Sequence, residues 1–550
     1  MENDMDINTN NNASGYGSNA EGLDTAAIGM ASHAEGYQTN AIATSAHAEG
    51  SFSNASGAAS HAEGYQTQAT EQSSHAEGNA SIAAGNAAHA EGFLTIAGGR
   101  GAHAEGLRSN AGGVGAHAEG VNSSASGDAA HAEGVGAAAS GSSTHAEGSF
   151  TTASGETSHA EGHLSVASGV VSHAEGNNTV ASGNYSHAEG YATRATGEIS
   201  HAEGNLSVAS GNYSHAEGSG SVASGNFAHA ESGYTVASGV ASHAEGSNTV
   251  ASGHASHAEG IFSVASGYNS HAEGFQTVAS GAFSHARGYL TAATRTSSFA
   301  EGYFTVADAG YSHANGVYTT VTNNHPYSHI MGTYGNSLYP NSWHLANGTA
   351  ITALGLAAVL EGATGNLYID GTVMSPAADY AEMFETIDGL PLEPGYFVTL
   401  DKKKIRIATE EDSYVLGITS GRPSMVGGAY HLNWQGKYAV DEWGRVKYED
   451  VQTPEEKDGQ GRVMMESTLI KRAVINPDFD ASQTYTSRMD RPEWVAVGLL
   501  GQLLVRDDGT CMENGFCRPN RDGIATASEE GYRVLERTGV NQILIMFAVK

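Results

Sequence analysis

The fifteen residues from Ser375 to Gly389 read SPAADYAEMFETIDG and hold three carboxylates, Asp379, Glu382 and Glu385. Their i, i+3, i+6 spacing would place all three on one face if the segment were helical. Carboxylates with separated pKa values can activate water and protonate a leaving amine, which is the chemistry of peptide hydrolysis. Spacing alone makes this a weak signal, because acidic residues also favour a first helical turn for dipole reasons. Ser375 adds a hydroxyl, but no obvious base accompanies it.

A second set of chemically capable residues is far more regular. HAEG begins at His33 and returns every 14 residues to His271, reading HAES once at His229, followed by HARG at His285 and HANG at His313. NAEG at Asn19 and FAEG at Phe299 complete 22 slots, 20 of them His. Imidazole with carboxylate suits zinc or nickel. The same residues also make a stacked His–Glu hydrogen-bond ladder, and that is the reading adopted: no metal and no cofactor is expected. Glu side chains about 5 Å apart repel by roughly 0.8 kcal/mol per pair even in bulk water, which His donors or diffuse cations relieve. If neighbouring Glu keep each His protonated, the repeat responds to pH between about 5 and 8. The only cysteines, Cys511 and Cys517, flank Asn514-Gly515. That pattern suggests a hairpin that a disulfide can staple, whereas two thiols alone make a poor zinc site.

The repeat itself must position the His and Glu columns. Each 14-residue unit splits into two halves of the form G-x-x-[S/T]-y-A-z, as in GVVSHAE (Gly169–Glu175) and GNNTVAS (Gly176–Ser182). Glycine every seven residues supplies turns with sharp bends or φ > 0. The residues between have strand length, β-branched content and no 3.6-residue period. Two strands and two turns per unit make one flattened coil of a parallel β-solenoid. Period-2 alternation puts Ser/Thr and Ala on one face and the His/Glu and Val columns on the other. Both Ala columns are unbroken, whereas the Val column admits Asn40, Gln68, Asn110 and Arg194. Small unbroken residues suit a narrow interior, so Ala and Ser are expected inside. Such a thin core buries little area per residue, which argues for an oligomer.

The coil resembles the head repeats of YadA-like trimeric adhesins over about residues 13–322. That resemblance implies a left-handed parallel β-roll assembled as a homotrimer. A tail of residues 1–12 precedes it and a connector of 323–344 follows, where Pro326 and Pro340 mark the exit. Residues 345–550 change composition and carry β-rich runs such as YFVTL, YVLGIT and QILIMFAVK. ADYAEMFE, IDG, YVLGITSGRP, RPEWVAVGLLGQLLVRDDGTC and RTGVNQILIM resemble the intramolecular-chaperone autoprocessing domain, the G2 peptidase family of phage tailspike and neck-appendage proteins. The family implies a β-rich α+β chaperone that assembles the upstream structure as a trimer and then cuts itself off once, as a glutamic-type endopeptidase. Carried onto this chain, the scissile bond falls within Met374–Asp379, best between Ala378 and Asp379. Glu382 and Asp379 are then the first catalytic candidates, and Glu385 supports them.

The bulk numbers narrow the function further. A net charge of −34 excludes nucleic-acid binding, which needs clustered Lys and Arg. MENDMDINTN lacks the basic start and apolar stretch of a Sec signal, and no apolar run is long enough to span a membrane. The expected protein is a phage fibre or appendage at the virion or an extracellular surface. A host receptor or glycan is its candidate partner, through turn aromatics such as Tyr37, Phe93, Tyr191, Phe275 and Tyr303. The alternative is a YadA-like cell- or spore-surface adhesin with an uncleaved cap; the absence of a signal peptide and of a membrane-barrel anchor favours the first.

Overall fold

The structure is a computed structural model that describes residues 10–430, 432, 436–457, 463–465, 467 and 469–548. The chain divides into two units, the solenoid and a C-terminal sheet domain.

In the solenoid each rung pairs in parallel with the next at a constant offset of one unit. His75, Ala76 and Glu77 face His89, Ala90 and Glu91, while Ile82 and Ala83 face Ile96 and Ala97 in the other half. The pairing begins with Asn12 opposite Ala26. It also runs past the last HANG, where His313 faces His329 through a longer coil and His329 faces Trp343. The solenoid therefore has about 24 turns, and the residues read as a connector carry its last two rungs. From Ala27 onward both Ala columns are fully buried, and the Ser/Thr column is buried with them. Interior hydroxyls are spent locally: Ser172 Oγ donates to the Gly169 carbonyl at 2.7 Å, and Thr179 Oγ1 to Ser165 Oγ at 2.9 Å. His, Glu and Val lie half-exposed outside, as alternation requires.

The glycines act differently from the sequence expectation. Those of HAEG do take φ between +94° and +119°. The second glycine, which most coils carry where others have Ala43, Glu71 or Arg295, does not; there a Cβ would strike the next rung, as at Gly85, where it would lie 1.8 Å from the Gly99 carbonyl oxygen. The left-handed conformation near +55° instead falls two residues after each glycine, on residues such as Gln38, Phe52, Ala59 and Val171. Close stacking, more than turn conformation, demands glycine there.

The second unit is a ten-stranded sheet: β1 Asp379–Glu385, β2 Phe397–Asp401, β3 Lys404–Ile407, β4 Gly417–Thr419, β5 Met425–Gly427, β6 Trp494–Arg506, β7 Phe516–Pro519, β8 Ala525–Ser528, β9 Tyr532–Gly539 and β10 Gln542–Ala548. Its order is β3-β2-β4-β6-β10-β9-β7-β8, with β1 between β5 and β6. The thirteen residues of β6 form the spine, pairing with β1, β4 and β10. Phe397, Ile418, Val505, Ile543, Ile545 and Phe547 fill the core. Among the described residues there is no α-helix, only a 3₁₀ turn at Arg488–Asp490, so the α+β expectation gives way to an almost all-β domain. Among the described residues no helix is long and apolar enough to cross a membrane.

Two outcomes follow from the stacking. Gly162→Ala places a Cβ 2.2 Å from the Gly176 carbonyl oxygen at φ +96°. It should cost about 3 kcal/mol or more by clash and backbone strain. Gly101→Ala, with open space and the conformation that Ala87 and Ala129 already hold, should cost about 1 kcal/mol at most. Thermal melts that fail to separate the two variants would overturn this account.

The second outcome concerns pH. Burial first, and stacked His neighbours next, hold His61, His89, His117, His159, His201, His229 and His257 below 6.5 despite the adjacent Glu. This reverses the expectation of Glu-protonated rings. The unfolded chain binds those protons more readily, so stability present above pH 6.5 is lost as the pH falls below it. Glu119, Glu231 and Glu259, raised to about 7, pull the other way, their contribution fading as pH rises through that value. The more numerous His should win, so the melting temperature in EDTA should fall between pH 6.5 and 4.5. A flat or rising profile would contradict it.

Candidate functional site

The DYAEMFE segment is a strand, not a helix. Its alternation turns Asp379, Ala381 and Met383 inward, while Tyr380 is exposed on the opposite face. It runs antiparallel to β6, with Asp379 opposite Gly501, and parallel to β5, with Glu382 opposite Gly427. A bulge lies in the β6 pairing beside Tyr380 and Ala381.

The peptide entering β1 is held closely. Gly501 sits at φ +120°, and a Cβ there would lie 2.1 Å from the Ala378 carbonyl oxygen. Glycine thus lets this carbonyl approach β6, where it accepts a hydrogen bond from the Gln502 N–H at 3.2 Å. Ala378 is exposed and Asp379 is buried. Ser420 Oγ donates to Asp379 Oδ2 at 2.7 Å, and the Ser424 N–H donates to the Asp379 carbonyl at 2.9 Å. Ala378, Asp379, Ser420, Arg422 and Gln502 border an open cleft of about 790 Å³.

The three carboxylates do not converge. Glu382 lies three residues from Asp379, about 10 Å along an extended strand and on its other face. It accepts a hydrogen bond from the Tyr380 hydroxyl at 2.9 Å, which raises the tyrosine pKa. Glu385 shares the Asp379 face but lies about 20 Å further along the strand. Lys404 Nζ holds it at 2.8 Å in an ion pair. Ser375 Oγ bonds only the nearby Ala377 N–H, at 3.3 Å. Ser420, Ser424 and Gln502 escaped the sequence reading, although Ser420 lies in YVLGITSGRP and Gln502 in GLLGQLLVR. Neither residue type announces a role until β1 is threaded beside them.

Other quoted motifs build the frame. Asp507 is fully buried and receives Arg537 at 2.8 Å, joining DDGTC to RTGVNQ. Asn514 takes φ +63° in a turn closed by the Gly515 N–H on the Met512 carbonyl. Cys511 and Cys517 are buried free thiols rather than a disulfide, and their mutual hydrogen bond raises the Cys517 pKa.

On the solenoid the expected His–Glu hydrogen-bond ladder is mostly unmade. His33, His215 and His243 reach a carboxylate at 3.3–3.4 Å. In most other rungs the rings stack on one another, as His89 does on His103 at 4.8 Å, with the nearest carboxylate oxygen at 3.5–3.9 Å.

Residues 319–541 match the family model described as Peptidase_G2, IMC autoproteolytic cleavage domain. Residues 160–186, 202–228, 244–270 and 258–284 match the YadA head domain repeat. A pre-neck appendage protein of Bacillus phage B103 is 38% identical over 154 residues, 28% of this chain and 16% of that protein. A preneck appendage protein of Bacillus phage PZA is 43% identical over 133 residues, 24% of this chain and 14% of that one. The matches thus span about one seventh of these relatives' length. The crystal structure of the bacteriophage phi29 gene product 12 C-terminal fragment is 34% identical, over 31% of this chain and 99% of the fragment, with a TM-score of 0.25. The chain thus carries matches to the YadA head repeat and, C-terminal to them, a match to the Peptidase_G2 domain.

Proposed function

We propose that the chain is a trimeric shaft of a phage appendage, whose C-terminal domain aligns three copies and then cuts itself free between Ala378 and Asp379. The observation that carries this reading is the seating of that peptide. Its carbonyl is polarised by the Gln502 N–H beside a buried carboxyl, in a domain that matches an autoproteolytic family. The likeness to phage appendage proteins supports a place on the virion. Exposed aromatic residues such as Tyr185, Phe227 and Tyr234 support side-by-side packing of copies.

Repetition supplies the reason for such a domain. Coils of one pattern pair almost equally well out of step, so three identical chains need an independent device to set their register. Cutting afterwards removes the route back and leaves the shaft kinetically trapped.

In the chemical step, water adds to the Ala378 carbonyl carbon and loses a proton to a carboxylate. The protonated base then passes that proton to the Asp379 nitrogen, and the Asp379 carboxylate, whose Oδ2 is set by Ser420, stabilises the positive charge that develops there. The bond then breaks to leave an Ala378 carboxylate and an Asp379 amine. Glu382 faces away from this bond in its own chain, so the base is Glu382 of a neighbouring copy. Glu385, already committed to Lys404, is given no part.

Denaturing electrophoresis with intact-mass analysis tests the reading. From the 56.5 kDa chain, fragments of about 39 and about 18 kDa are expected. Asp379→Ala and Glu382→Ala should each slow the cut about a hundredfold or more, whereas Glu385→Gln should still cut. Co-expressing the Asp379→Ala and Glu382→Ala chains should restore fragments from the latter alone. An uncut wild type would leave a folding cap on a structural fibre. No restoration in the mixture would remove the cross-copy role of Glu382.

A further inference from the structure

The imidazole column is stacked but largely unbonded. From His47 to His285 successive ring centroids lie 4.6–4.9 Å apart, with interplanar angles of 16° or less. The Nε2 atoms of His47, His61, His75, His89 and His103 are shielded from solvent and have no hydrogen-bond partner. A Glu carboxylate oxygen stands 3.5–3.8 Å from each, beyond a good hydrogen bond. Each rung thus presents a lone nitrogen that wants a partner beside a carboxylate that wants a counter-charge. One kind of ligand satisfies both.

Groups of this composition recur up the face. In His47–Glu49–His61, His61–Glu63–His75, His75–Glu77–His89, His89–Glu91–His103 and His117–Glu119–His131, one ligand atom per residue lies within 4.8 Å of the other two. Ten more groups lie close enough to hold an ion in the same way.

We propose that the ladder is a linear array of seats for a divalent first-row transition cation of the zinc–nickel class, each built from two successive His Nε2 atoms and a Glu carboxylate. Metal–nitrogen bonds of about 2.0–2.1 Å set tetrahedral ligand atoms about 3.4 Å apart. The His–Glu gaps are already close to that. The two rings need to lean together by roughly an ångström, which leaves the Ala column untouched. Calcium and magnesium, which demand six or more oxygen ligands, do not suit such a seat. The net charge of −34 concentrates cations around the shaft.

The register also limits the filling. A neutral imidazole offers one lone pair on Nε2, and consecutive groups share a ring, as the first two share His61. Adjacent seats therefore exclude one another, and saturation is at most one ion for every two rungs.

Equilibrium dialysis of the full chain against zinc chloride, followed by metal analysis, tests the proposal. Several zinc ions per chain are expected, never more than one per two rungs and undisplaced by excess calcium. X-ray absorption of the loaded chain should show imidazole scattering. A variant carrying His47→Asn, His61→Asn, His75→Asn, His89→Asn and His103→Asn should lose at least two ions; Asn already stands in this column at Asn19. Binding of one ion or fewer per chain, an all-oxygen spectrum, or undiminished binding by the folded variant would overturn the array. If circular dichroism shows that variant unfolded, the spectrum of the unaltered chain decides alone.

Discussion

The solenoid depends on one constraint: neighbouring rungs must approach to the hydrogen-bonding distance of about 4.8 Å along their whole length. Every interior choice follows from it. Ala and Ser fill a space too shallow for larger side chains, and glycine stands at most of the positions where a Cβ would meet the next carbonyl, as at Gly85 and Gly162. The reward is a continuous ladder of backbone hydrogen bonds, and little else. Among the described residues, fully buried large side chains are confined to the last rungs, at Val321 and Ile330, and to the sheet domain. The shaft is held by repetition of weak, well-placed contacts rather than by a thick core.

The same constraint imposes the outer columns. Once Ala76 lies over Ala90, His75 must lie over His89 and Glu77 over Glu91. Stacked rings about 4.7 Å apart cannot all carry charge, which is why burial and neighbouring His outweigh the carboxylates beside them. The unusual electrostatics of the face are thus a by-product of backbone geometry.

Much of this was legible in the sequence, because a repeat states its own register: the unit length, the two halves and the inward Ala columns all follow from where Gly and Ala recur. Less legible was the end of the solenoid, since Trp343 continues the ladder without any HAEG to mark it. Left-handed backbone on Phe52 and Val171 carries no compositional sign. At the candidate site the carboxylates stood out, but a spacing that favours one helical face separates Asp379 from Glu382 on a strand. Whether DYAEMFE is helix or strand depends on β5 and β6, which come later in the chain. For the same reason Ser420 and Gln502 acquire meaning only through tertiary contact.

The constant offset between rungs gives the shaft a property of an assembled ruler. Duplicating or deleting one unit between His47 and His271 returns every remaining residue to an equivalent neighbour, above and below. Length is therefore separable from sequence and changes in increments of about 4.8 Å. The longer coil between His313 and His329 breaks that equivalence, so growth by unequal exchange of units can proceed on one side of it and leave the final rungs intact.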